Sequence, residues 1–143
     1  MNILAFSGCS SLKKINIPDS LNSIGFSCFY GCFSLEKISI PSSIVIIESN
    51  TFRGCTALSK VDFVSPSSLI EIRSNAFDGC SSLNQIELPP SLDLIDSLAF
   101  YGCLSLSEIN IPQSVNSISK DAFIGCKFSF NKQKDKYIYI YIK

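Results

Sequence analysis

Apolar residues recur along this chain in a fixed order with a long period. One recurring pair is spaced two residues apart with a polar residue between: Ile15/Ile17, Ile38/Ile40, Val61/Phe63, Ile86/Leu88 and Ile109/Ile111. Alternation of this kind predicts a short strand with one face buried. Pro18, Pro41, Pro89 and Pro112 follow directly, and a residue without an N–H ends a ladder, so each strand should stop there. A second apolar pair lies three residues apart: Leu21/Ile24, Ile44/Ile47, Leu69/Ile72, Leu92/Ile95 and Val115/Ile118. It predicts a return segment, extended or loosely turned, that also faces inward. Ser27, Asn50, Asn75 and Asp121 come next and read as caps of a short helical turn. A small residue and a Phe then lead to a Gly, where positive φ or a tight backbone approach would close the corner.

The corner residues show the repeat most clearly. Phe6, Phe29, Phe52, Phe77, Phe100 and Phe123 each precede a Gly by two residues and Cys9, Cys32, Cys55, Cys80, Cys103 or Cys126 by three, at spacings of 23, 23, 25, 23 and 23 residues. The longer step reflects Val64 and Ser65, inserted before Pro66; a turn absorbs such an insertion at little cost. Leu12, Leu35, Leu58, Leu83 and Leu106 complete the register. One unit cannot bury its two apolar pairs and its Phe alone, so neighbouring units must stack. With parallel pairing about 4.8 Å apart, five full coils and a partial sixth make a solenoid on the order of 25 Å long. Its interior would be columns of one residue type each, with residues 1–126 forming the repeat domain.

Composition narrows the chemistry. The 143 residues include no His and no Trp, which removes the commonest general base and metal ligand. Twelve basic residues balance twelve acidic ones, without the basic excess of a nucleic-acid binder. Apolar runs are far shorter than the ~20 residues of a bilayer span, and no basic, apolar leader opens the chain. The six corner cysteines, with Cys28 at a position otherwise held by Ala or Thr, read as a column of buried structural thiols; the alternatives are a disulfide within the stack or a thiol redox or metal site. Nothing distinguishes one cysteine from its equivalents as a nucleophile, so no catalytic residue, cofactor or metal is assigned.

Binding, if it occurs, falls to the polar positions between the inward strand residues. One outward column reads Lys14, Lys37, Lys60, Gln85 and Glu108, the next Asn16, Ser39, Asp62, Glu87 and Asn110. The face they form is basic at one end and acidic toward the other, and extended solenoid faces of this kind take protein ligands; the alternative is a merely solvated surface. A second exposed candidate is the corner column of Tyr30, Arg53 and Tyr101, with Phe33 and Leu104 nearby, since aromatic and Arg side chains are typical anchors.

The consensus Ala-Phe-x-Gly-Cys-x-Ser-Leu-x-x-Ile-x-Ile-Pro-x-Ser-Val-x-x-Ile, clearest in Ala5–Ile24, Ala76–Ile95 and Ala99–Ile118, resembles the BspA-like, or treponemal, leucine-rich repeat family. The resemblance implies a leucine-rich repeat solenoid with a parallel sheet on one face. It also implies a surface antigen or adhesin that binds host proteins or cells, as in oral bacteria and parasitic protists. Two departures stand out. Met1 occupies a position expected to hold Ile, so the chain opens inside a unit; a fragment of a longer repeat protein is the alternative reading. From Lys127 to Lys143 the pattern is lost, and this tail holds five Lys against one Asp, leaving seven basic and eleven acidic residues before it. Its alternating Tyr-Ile run reads as a strand capping the solenoid, as a self-association segment or as the product of a simple TA repeat. The chain as written carries no address, whereas the resemblance implies the cell surface.

Overall fold

A computed structural model describes residues 3–127. The expectations for Met1 and for the tail beyond Lys127 fall outside the described residues. Within them the chain winds as stacked coils. The expected strand positions of the second and third coils form β1 (Lys37–Ile40) and β3 (Lys60–Phe63), paired in parallel with Ile38 opposite Val61 and Ile40 opposite Phe63. Elsewhere on this face the ladder is sparse: Glu87 and Asn110 form a single parallel bridge.

The more continuous sheet lies on the return side. β2 (Ile46–Ile47), β4 (Glu71–Ile72), β5 (Leu94–Ile95) and β6 (Ser117–Ile118) form a four-stranded parallel sheet in chain order, and Ile24 bridges to Ile47 at its edge. Expectation and outcome differ here because a spacing of three specifies two inward residues but conceals the two-residue strand ending on the second. Four coils reach this side through a turn at their proline, as in Ile44 N–H to the Pro41 carbonyl at 3.1 Å and Leu92 N–H to the Pro89 carbonyl at 3.0 Å, while in the lengthened third coil Leu69 N–H donates to the Ser67 hydroxyl at 3.2 Å. The serine of the Pro-x-Ser turn ties coil to coil. The hydroxyls of Ser43, Ser91 and Ser114 donate to the carbonyls of Leu21, Leu69 and Leu92 one coil earlier, at 2.7, 2.7 and 2.6 Å.

The corners are not helical: no helix occurs among the described residues. An α-helix needs each N–H to donate back along its own chain, and here alternate N–H groups leave the coil. In the third coil, Thr51, Arg53 and Cys55 donate to Glu48, Asn50 and Phe52 in successive tight turns, while Asn50, Phe52 and Gly54 donate to Ser74, Ala76 and Asp78 of the next coil at 2.7–3.1 Å. Ser27, Asn50 and Asn75 are correspondingly not helix caps; they hold φ of 52°, 57° and 58°, a left-handed conformation that Asn tolerates better than most residues. Leu98 holds the equivalent place with φ 54°. Asp121, also expected as a cap, instead accepts the hydroxyls of Ser119 and Ser97 at 2.6 and 2.9 Å, and these bonds hold its carboxyl below the usual range. Gly54 closes its turn with φ +75°, and the Cα of Gly31 lies 3.8 Å from where a Cβ would sit.

The core is the stack of columns. Phe29, Phe52, Phe77 and Phe100 are fully buried, and all six corner rings run in one near-parallel stack with centroids 5.2–5.4 Å apart. Around them lie Leu35, Leu58, Leu83 and Leu106 and the return residues Ile47, Ile72 and Ile95, all without solvent contact. Each buried Phe contributes roughly 2–3 kcal/mol of transfer free energy. Thr51, at the small-residue position, is buried with its hydroxyl satisfied by the Glu48 carbonyl at 2.6 Å.

Candidate functional site

The ten outward strand-face residues all lie exposed along one side of the stack: Lys14, Lys37, Lys60, Gln85 and Glu108 in one column, Asn16, Ser39, Asp62, Glu87 and Asn110 in the other. Period-two alternation turns them out because Ile17, Ile38, Ile40, Val61, Ile86 and Leu88 point in. Register sets Lys37 beside Lys60 and Ser39 beside Asp62. Lys60 Nζ turns to Asp62 Oδ1 at 2.9 Å, with both side chains half exposed, a geometry worth little to stability.

The corner column carries a second exposed group. Tyr30 and Phe33 lie toward one end, and Tyr101, Leu104 and Ile124 toward the other. Between them Arg53 Nε meets Asp78 Oδ2 at 2.9 Å. Ile124 was not singled out from the sequence, although it follows Phe123 as Tyr101 follows Phe100. The return side holds a cluster that sequence reasoning also missed, in which Arg73 binds Glu48 at 2.8 Å and Glu71 at 3.0 Å. Its only sequence signal is an Arg in the next coil after an acidic residue of the same column.

The cysteines form no disulfide; all seven are free. Cys28, Cys32, Cys55, Cys80 and Cys103 are buried, whereas the expected column of buried thiols fails at its two ends, where no further described coil covers it: Cys9 is exposed and Cys126 half-buried. The thiols of Cys32, Cys55, Cys80, Cys103 and Cys126 each donate to the carbonyl of the preceding coil's corner Phe at 3.1–3.3 Å. Burial pushes the thiols of Cys32 and Cys55 up to about 11 and about 12, and drives Cys80 well above the ordinary value. A thiol so buried and protonated is a poor nucleophile and metal ligand, which sets Cys32, Cys55 and Cys80 apart from the half-buried Cys126, held below the ordinary value by its contact with Cys103. Among the described residues no group of His, Cys, Asp and Glu is arranged to hold a metal ion, and no helix is long and apolar enough to cross a membrane.

The coil just described, with its Phe, Gly and Cys corner, matches the family model of the BspA type leucine rich repeat region in six copies over residues 2–129. The chain belongs to that family. Solved structures agree with the assignment. A leucine-rich repeat protein of Treponema pallidum is 37% identical with a TM-score of 0.71, over 76% of this chain and 52% of that one. A leucine-rich cell surface protein of Faecalibacterium prausnitzii is 30% identical with a TM-score of 0.76, over 89% and 34%. A leucine-rich repeat protein of Bacteroides ovatus is 27% identical with a TM-score of 0.72, over 91% and 40%. This BspA-type chain therefore spans about half or less of the length of each of these structures. Comparison with curated proteins returns no match.

Proposed function

We propose that this BspA-type repeat is a non-enzymatic protein-interaction module of the surface-antigen or adhesin kind, engaging protein ligands through the outward strand face. One observation carries the reading: ten polar and charged side chains lie exposed along one side of the stack, and one of their two columns grades from Lys14, Lys37 and Lys60 to Glu108. Such a face offers a partner of complementary charge gradient a single orientation. The surface assignment draws support from the Faecalibacterium relative, described as a cell surface protein. The coverage of the solved relatives favours a second reading, in which these coils serve as part of a longer repeat array and contribute to its face.

The test is binding of the fluorescently labelled chain to cultured epithelial cells. The K14E/K37E variant should bind at least tenfold more weakly with an unchanged melting temperature, because both side chains are exposed. Undiminished binding by a folded variant overturns the assignment of this face.

A further inference from the structure

The strand face is interrupted between the third and fourth coils. These coils are joined at Thr56, whose carbonyl accepts the Ser82 N–H at 3.2 Å, and again where the Ser91 hydroxyl donates to the carbonyls of Ser67 and Leu69 at 3.0 and 2.7 Å. Between those points β3 pairs with β1 on one side, and among the described residues no ladder joins it to Gln85–Leu88 on the other. Val64 and Ser65 lengthen this unit by two residues after β3, and Pro89 and Pro90 have no N–H to donate across the gap.

The result is a cleft of about 500 Å³ whose walls include Lys60, Asp62, Ser65, Ser67, Glu87 and Pro89. Its two banks are the main-chain edge of β3 and the extended segment around Glu87. Asp62 and Glu87 are equivalent residues of successive coils, so two carboxylates flank the opening. Asp62 is held by Lys60 at 2.9 Å, whereas Glu87 has no ion-pair partner among the described residues. An open strand edge supplies main-chain donors and acceptors in strand register, and an unneutralised carboxylate beside it selects a cation.

We propose that this cleft takes an extended, lysine-bearing peptide segment of a partner protein as an added strand along β3, with the lysine ammonium placed at Glu87. The proposal rests on the reading of the strand face as a protein-recognition surface and assigns a specific seat and peptide chemistry within it. Main-chain bonding to β3 supplies affinity, and Glu87 supplies the preference for a basic side chain.

Fluorescence anisotropy tests it, with a fluorescein-labelled eight-residue peptide of alternating threonine and lysine as the probe. Saturable binding is expected, at least tenfold stronger than that of a threonine–glutamate counterpart and of a threonine–lysine peptide N-methylated at alternate residues. E87Q should weaken the threonine–lysine peptide at least fivefold without shifting the melting temperature. Equal binding by the N-methylated peptide, an unaltered affinity in E87Q, or no saturable binding overturns the proposal. Lys14 and Lys37 do not line the cleft. A chain that binds the peptide but whose cell binding ignores K14E/K37E therefore refutes the broad face reading alone, and the converse result refutes the cleft alone.

Discussion

The sulfur of Cys80 lies 3.2 Å from the main-chain oxygen of Phe52, one coil earlier, and that same oxygen accepts the N–H of Cys55 at 3.0 Å. One buried carbonyl thus has both acceptor sites used, one by its own coil and one by the next. The cysteine column is more than small apolar filler: the thiols of Cys32, Cys55, Cys80, Cys103 and Cys126 each supply a donor that Ala would lack.

Replacing Cys80 separates the two roles. Cys80→Ala should cost about 1–2 kcal/mol through the lost donor and a small void. Cys80→Ser keeps a donor at the same place and should cost less than the alanine. If the position were only a compact hydrophobe, serine would be the worse substitute, and urea denaturation of the two variants distinguishes these orders.

Alkaline pH should destabilise the fold steeply. Buried thiols with raised values keep their protons in the folded state, while the same thiols in the unfolded chain ionise near 9. The native state then binds more protons than the unfolded state, so stability is intact below about pH 9 and falls as pH rises toward the folded values of about 11 and about 12 for Cys32 and Cys55. Each such thiol removes roughly 1.4 kcal/mol per pH unit in that window. Thermal melts between pH 7 and 11 should show a flat region followed by a sharp decline, blunted in a Cys32→Ala/Cys55→Ala variant.

Phe77 sits mid-stack, fully buried, with its ring 5.3 Å from Phe52 and 5.2 Å from Phe100. Phe77→Ala should cost about 3–5 kcal/mol by opening a cavity that straight columns cannot collapse to fill, a large share of a typical domain's stability. Chemical denaturation measures it, and a loss under about 1 kcal/mol would place the ring outside the interior.

Leu98 holds a left-handed φ of 54° where Asn50 and Asn75 hold 57° and 58°. A bulky L-residue loses roughly 1–2 kcal/mol in that conformation. Leu98→Asn should therefore stabilise the chain by about 0.5–1 kcal/mol net of the apolar contact given up, and Asn50→Leu should destabilise it by a comparable amount. Paired urea titrations check both signs.

The interior was the most legible part of this protein, because stacking demands the same residue at the same place in every coil. Phe6 through Phe123 and Cys9 through Cys126 announce their columns by recurrence alone. Strand continuity was not legible. The pairs Val61/Phe63 and Ile86/Leu88 specify which way side chains point but not whether neighbouring coils approach closely enough to bond. The corners misled for a different reason: a polar residue before a small one marks a helix cap and a left-handed turn alike, as Asn50 and Asn75 demonstrate. Of the candidate face, exposure and charge order could be read from the alternation, whereas the cleft could not, since it depends on the spacing between the third and fourth coils, which a repeat pattern does not carry.

The corner hydrogen bonds give that side of the coil a polar direction. From Phe6 to Cys28, Phe29 to Thr51, Phe52 to Ala76, Phe77 to Ala99 and Phe100 to Ala122, every N–H points toward the later coil and every accepting carbonyl back toward the earlier one. Sheet ladders largely cancel such dipoles, but this column adds them head to tail as a helix does. The polarity belongs to the corner alone, relatively positive toward the later coils, because the return-side N–H groups of Arg73, Asp96 and Ser119 point the other way, to Ile47, Ile72 and Ile95 of the earlier coil; each added repeat lengthens both columns, so the stack presents opposed dipoles on its two sides.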